Sequence, residues 1–145
     1  MIHVIKDKSN SLLDYILDDP VRPNLSVNFR VSPNRMVIAM TEKDKPDAIV
    51  CVSLHDFVPK SVAELEKTSD EPNTAIFYTI WSYKKGSGAE LIFKAVDALR
   101  AQYPGLTRFV TLSPKSEMAR KFHLKNGAVV FQENEESVNY EYYIG

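Results

Sequence analysis

The sequence predicts a single α/β (α+β) domain with a central mixed, mostly antiparallel sheet flanked by helices. Three observations predict it. Two apolar runs, residues 36–40 and 48–54, are separated by a short charged segment containing Pro46, the pattern of an antiparallel hairpin. A run rich in β-branched and aromatic residues, 74–81, leads through Gly86-Ser87-Gly88 into a segment with helical apolar spacing and then another strand. Further on, a second helix is followed by two short strand-like runs.

Taken in order, residues 2–5 read as a short strand, and 11–18 as a helix with a cap-like Ser11 and Asp14, closed by Pro20. Residues 25–31 alternate like a strand, but Pro23 and Pro33 bracket them closely, so strand and non-strand readings stay open. The hairpin follows, then a short helix over 62–66 and a polar loop over 67–73. Its length and apolar content make 74–81 the central strand. Strict alternation along it places Phe77, Trp81 and Tyr83 on one face. Leu91, Ile92, Ala95, Val96 and Leu99 recur at helical spacing opposite Glu90, Lys94, Asp97 and Arg100, and Pro104-Gly105 stops that helix. Residues 108–112 are the next strand, 116–126 a helix ending at Gly127, and 128–131 with 138–144 a final pair.

With 145 residues, 44% hydrophobic and 26% charged, and no internal repeat or linker, one core over residues 1–145 is the expectation. No apolar stretch approaches the roughly 18 residues of a membrane span, and only four apolar residues precede the first charges, which predicts a cytoplasmic protein without membrane contact. A net charge of −1 with interspersed signs gives no basic face for nucleic acid. The single cysteine, Cys51, lies within an apolar run and reads as a buried strand position, and no residues show metal-ligand spacing. Monomer and homodimer both remain open.

A buried strand running into a glycine turn and a helix brings free backbone N–H groups and the positive end of the helix dipole to one point, which suits a phosphate. Lys84-Lys85-Gly86-Ser87-Gly88 occupies that junction, although a GxG turn is by itself generic. The wider segment 83–88 resembles the acyl-CoA pyrophosphate loop of the GNAT superfamily, with Tyr83 departing at its first position. Residues 119–128 are similar to that superfamily's next helix, with His123 where a tyrosine general acid is common. That resemblance implies an acyl-CoA, most simply acetyl-CoA, as co-substrate. It would lie along Ile80, Trp81, Ser82, Lys84, Lys85, Gly86, Ser87, Gly88 and Ala89, with no metal.

Within the superfamily the chain resembles the catalytic domain of malonyl-CoA decarboxylases from about Pro46 onward. The matching segments are 74–80, Leu112-Ser113-Pro114, 122–128 and 138–142. The resemblance implies that Ser113 and His123 form the catalytic pair. It departs in having neither the family's N-terminal helical domain nor its long insertion, since nine residues separate the two side chains. His123 suits proton transfer because imidazole titrates near neutrality. His3 and His55 read as structural. The central strand carries no carboxylate to serve as a base, and Glu71, Asp56 and His55 lie only near strand ends.

The expected activity is GNAT-type acyl transfer from an acyl-CoA to a small-molecule or protein amine, with His123 protonating the departing thiolate. The alternatives are a decarboxylase-like lyase using Ser113 and His123, and a non-catalytic acyl-CoA-binding module.

Overall fold

The computed structural model describes residues 1–144. Among these residues eight strands form one sheet: β1 (Ile2–Ile5), β2 (Arg35–Thr41), β3 (Pro46–His55), β4 (Thr74–Ser82), β5 (Arg108–Thr111), β6 (Ser113–Pro114), β7 (Val129–Glu133) and β8 (Ser137–Tyr142). The order is β1-β2-β3-β4-β5-β8-β6, with β7 on the free edge of β8. Every pairing is antiparallel except β4 with β5. Two parallel neighbours need a long crossover, supplied by α3 (Ser87–Gln102). The other helices are α1 (Val27–Arg30), α2 (Val62–Leu65), α4 (Glu117–Lys125) and a 3-10 helix, Ser11–Asp18.

The sheet is covered on both faces, which explains why β2, β3 and β4 read as continuous apolar runs. On one face Leu91, Ile92, Ala95, Val96 and Leu99 of α3 pack against Val50, Val52, Phe77, Phe109, Tyr140 and Tyr142. On the other, Leu13 and Ile16 of the 3-10 helix, with Val31 and Leu65, pack against Ile49, Cys51, Tyr78, Trp81 and Val110. Cys51 is fully buried there, and burial pushes its thiol up to about 11, so it stays protonated and inert.

Two local expectations are corrected, and one open reading is decided. Residues 25–31 contain no strand: Ser26 caps the helical turn α1 by accepting the Phe29 amide, and Asn10, rather than Ser11, caps the 3-10 helix. In β4, Cys51 lies opposite Thr79 but Val52 lies opposite Phe77, so Tyr78 is the extra residue of a β-bulge. The bulge breaks the alternation. Phe77 and Ile80 pack on the α3 face, whereas Tyr78 and Trp81 pack on the opposite face and Thr79 hydrogen-bonds there. Phe77 and Trp81 therefore do not share a face.

The segment joining the 3-10 helix to α1 is pinned beside this bulge. Asp19 Oδ1 accepts from the amides of Val21 and Arg22 and from the Thr79 hydroxyl, each at 2.9 Å. Its Oδ2 accepts from Arg30 Nη1 at 2.9 Å, in an ion pair fully withdrawn from solvent. Arg30 also donates to the carbonyls of Leu25 and Arg22 and to Cys51 Sγ. Burial alone would raise the Asp19 carboxyl, but the Arg22 and Val21 amides and the Arg30 guanidinium outweigh it and hold it below its usual range.

Candidate functional site

Beyond Phe77↔Thr111 the pairing of β4 with β5 ends. The chain leaves β5 and pairs again at Ser113, but with β8, opposite Val138. The last half of β4, from the Tyr78 bulge to Ser82, thus has no strand pairing with β6, which leaves a notch between them among the described residues. The segments resembling acyl-CoA enzymes converge at this notch.

Ser113 and His123 meet beside it. Ser113 is aligned by its β6 pairing, and His123 lies on the inner face of α4, a helix capped by Ser116 and closed by Gly127 at φ 96°. Ser113 Oγ and His123 Nε2 are 3.2 Å apart, and both residues are buried. The Ser113 hydroxyl also donates to Thr111 Oγ1 at 2.7 Å, and His123 Nδ1 is 2.7 Å from the Tyr142 hydroxyl. Since His123 is the only hydrogen-bond partner of that hydroxyl among the described residues, the network assigns the imidazole proton to Nε2. The bonds then run from Tyr142 to His123, Ser113 and Thr111. Tyr140 stacks on the imidazole at 5.0 Å and 28°, fixing its plane.

Among the described residues no carboxylate hydrogen-bonds His123. Burial lowers its pKa to about 4, so the imidazole is neutral near pH 7 in the free protein. His55 is likewise held down to about 4, first by burial and then by the Arg35 charge; it is bonded to Ser53 at 2.6 Å and pairs with Thr74, at the end of β4 remote from the turn. Both histidines are neutral when folded and titrate at 6.5 when unfolded. Protons therefore bind preferentially to the unfolded chain as pH falls. Stability is full above about pH 6.5 and is expected to fall by up to roughly 3 kcal/mol per histidine by pH 4. Urea denaturation across that window checks this; a His123→Gln chain with the same pH slope as the parent would contradict it.

At the other end of the notch, Gly86 caps α3 in the left-handed conformation, φ 84°, without a side-chain cap. The Gly88 and Ala89 amides in the first turn of α3 make no hydrogen bond among the described residues, which leaves donors for an anion. Ser87 is turned inward, its hydroxyl donating to the carbonyls of Asp47 and Lys84. A Cβ added at Gly88 would lie in contact with the Phe122 ring, at 3.4 Å. Lys84 and Lys85 are exposed, with Lys84 Nζ 3.0 Å from Glu42. Ser82 is exposed and Ile80 half-buried. The Trp81 side chain points into the opposite core and donates to the Tyr83 hydroxyl, which donates to Asp18, so Trp81 offers the notch only its main chain.

The family model described as the malonyl-CoA decarboxylase C-terminal domain matches residues 36–140, more than half of the chain. The chain belongs to this family. Among solved structures, a malonyl-CoA decarboxylase from Agrobacterium vitis is 27% identical with a TM-score of 0.69 over 84% of this chain. This decarboxylase-family chain spans 35% of that protein's length. A Desulfovibrio desulfuricans acetyltransferase of the GNAT family is 12% identical at a TM-score of 0.68, covering 100% of this chain and 99% of its own. A Bacillus subtilis acetyltransferase solved with CoA is 13% identical at 0.66, covering 99% and 98%. These two show the fold, which is the GNAT fold. No curated protein sequence matches the chain. Among the described residues no helix is long and apolar enough to cross a membrane.

Thr111 and Arg22, the latter of which lines a cavity, were not singled out by the sequence, nor was Tyr142 as a partner of His123. The sequence reads Tyr140, Tyr142 and Tyr143 as aromatics of a final strand lining either a substrate groove or a subunit contact, but nothing in the order of residues ties any of them to His123.

Proposed function

We propose that this chain binds an acyl-CoA, its pyrophosphate on the α3 turn and its thioester in the notch, and that it decarboxylates malonyl-CoA. The observation that carries the reading is the buried Ser113–His123 pair, 3.2 Å apart and tied to Tyr142, in a chain of the decarboxylase family. Acyl transfer to an amine would also need a base to take the ammonium proton, and no carboxylate hydrogen-bonds His123 among the described residues.

In the reaction, the bond between C2 and the carboxylate breaks, CO2 leaves, and its electron pair is held as the thioester enolate. The anionic malonyl group beside the dyad favours uptake of a proton by His123. Ser113 then turns its hydrogen from Thr111 toward C2 while His123 Nε2–H replaces it, so acetyl-CoA leaves and the imidazole is neutral again. The net exchange is one proton in and one CO2 out.

The test is incubation with malonyl-CoA without an acceptor, following acetyl-CoA by mass spectrometry. Product that forms only when an amine is present would move the assignment to acyl transfer. Binding without either product would make the chain an acyl-CoA-binding module.

The turn is tested separately. Coenzyme A at a hundredfold excess over Kd is expected to stabilise the protein by about 2.7 kcal/mol. Gly88→Val places a branched side chain against Phe122 and in the path of a phosphate, and is expected to abolish that increment. An unchanged thermal shift in that variant would remove the turn from the ligand site.

A further inference from the structure

Arg22 stands on the side of the notch away from His123. Ser137, Asn139 and Glu141 of β8 alternate with Val138, Tyr140 and Tyr142, which pack on the α3 face, so Ser137 lies on the opposite one. There Ser137, with Arg22, Lys60, Ser61 and Glu133, lines a cavity of about 650 Å³. Ser137 is paired with Pro114, the neighbour of Ser113, so the cavity adjoins the far mouth of the notch.

The arginine is held in place. Asp19 accepts its amide, and Arg30 donates to its carbonyl at 2.7 Å. Its Nη1 donates to the carbonyl of Tyr78, the bulge residue that begins the notch. No other protein acceptor meets the guanidinium among the described residues, so the remaining N–H groups are available to a ligand. An acyl group entering from the α3 turn and reaching past Ser113 would present its far end here.

We propose that Arg22 binds a carboxylate at the far end of the acyl group, so that the site prefers a dicarboxylic acyl-CoA such as malonyl-CoA over acetyl-CoA. This rests on the acyl-CoA reading above and deepens it. A guanidinium offers a carboxylate two parallel N–H groups, which lysine cannot, and acetyl-CoA has nothing to fill them. Glu133, Glu135 and Glu136 also line the cavity, but they are exposed and screened by water and salt, whereas Arg22 is partly withdrawn from solvent. The contact exists before the reaction and vanishes as CO2 departs, so it acts on substrate binding rather than on the chemical step.

The experiment measures Kd for malonyl-CoA, acetyl-CoA and coenzyme A in a Ser113→Ala background, where malonyl-CoA survives. Malonyl-CoA is expected to bind about 10- to 100-fold more tightly than acetyl-CoA. Arg22→Gln should erase that preference without changing Kd for acetyl-CoA, which also certifies the fold. Arg22→Lys should retain part of it, and Glu135→Gln with Glu136→Gln should leave it intact. A preference that survives Arg22→Gln, or equal weakening of both ligands, overturns the inference while the acyl-CoA reading stands. Failure of coenzyme A itself to bind the parent chain sinks both.

Discussion

Ser113→Ala and His123→Gln are each expected to lower kcat for malonyl-CoA decarboxylation by about 10²- to 10⁴-fold, the usual worth of a positioned proton donor. Km should change little, because neither side chain holds the nucleotide. The two act as one unit across 3.2 Å, so the double variant should be scarcely slower than the worse single one. Losses that multiply would mean that the residues act independently and would overturn the relay. Tyr142→Phe removes one hydroxyl and strands the buried Nδ1 of His123, a loss of about 1–3 kcal/mol in stability. Its effect on kcat should be smaller than that of His123→Gln, since Tyr142 orients the imidazole and does not reach the substrate. Steady-state assays on variants shown to be folded by circular dichroism separate these outcomes.

Arg30→Ala is expected to destabilise the fold by about 3–5 kcal/mol, the range for breaking a buried pair and leaving the partner charged. Arg30 and Asp19 are both fully buried, and Arg30 satisfies the Leu25 and Arg22 carbonyls as well. Against a total stability of about 5–15 kcal/mol, that loss is a large fraction. Asp19→Leu combined with Arg30→Met should cost less than the sum of the single changes, because no lone charge stays inside. Guanidinium titrations of the three variants measure it. A loss below about 1 kcal/mol for Arg30→Ala would show that water reaches the pair. Because the same network fixes Arg22, Arg30→Ala should also weaken any preference for malonyl-CoA.

Much of the fold was legible because its signals are local. The hairpin of β2 and β3, the α3 stripe from Leu91 to Leu99 and the Gly127 stop depend on residues a few positions apart, where side-chain spacing and turn chemistry decide the outcome. The segment of the helical turn Val27–Arg30 stayed open in the sequence because its conformation is set by the Ser26 cap and by the distant partners of Arg30, which outweigh weak alternation. The faces of β4 were misassigned for a related reason: one extra residue at Tyr78 shifts every later side chain, and a bulge leaves no mark in a strand's own composition.

For the candidate site, the sequence by itself pointed to the glycine turn and to Ser113 and His123, since their resemblance to a family lies in contiguous motifs. Only the tertiary structure decided that the pair meets at 3.2 Å, that Tyr142 completes it from β8, and that the imidazole is neutral. It alone brought Arg22 to the carbonyl of Tyr78. These contacts join residues from 10 to 56 positions apart, and burial, which sets the proton affinity of His123, belongs to the assembled core and to no stretch of chain.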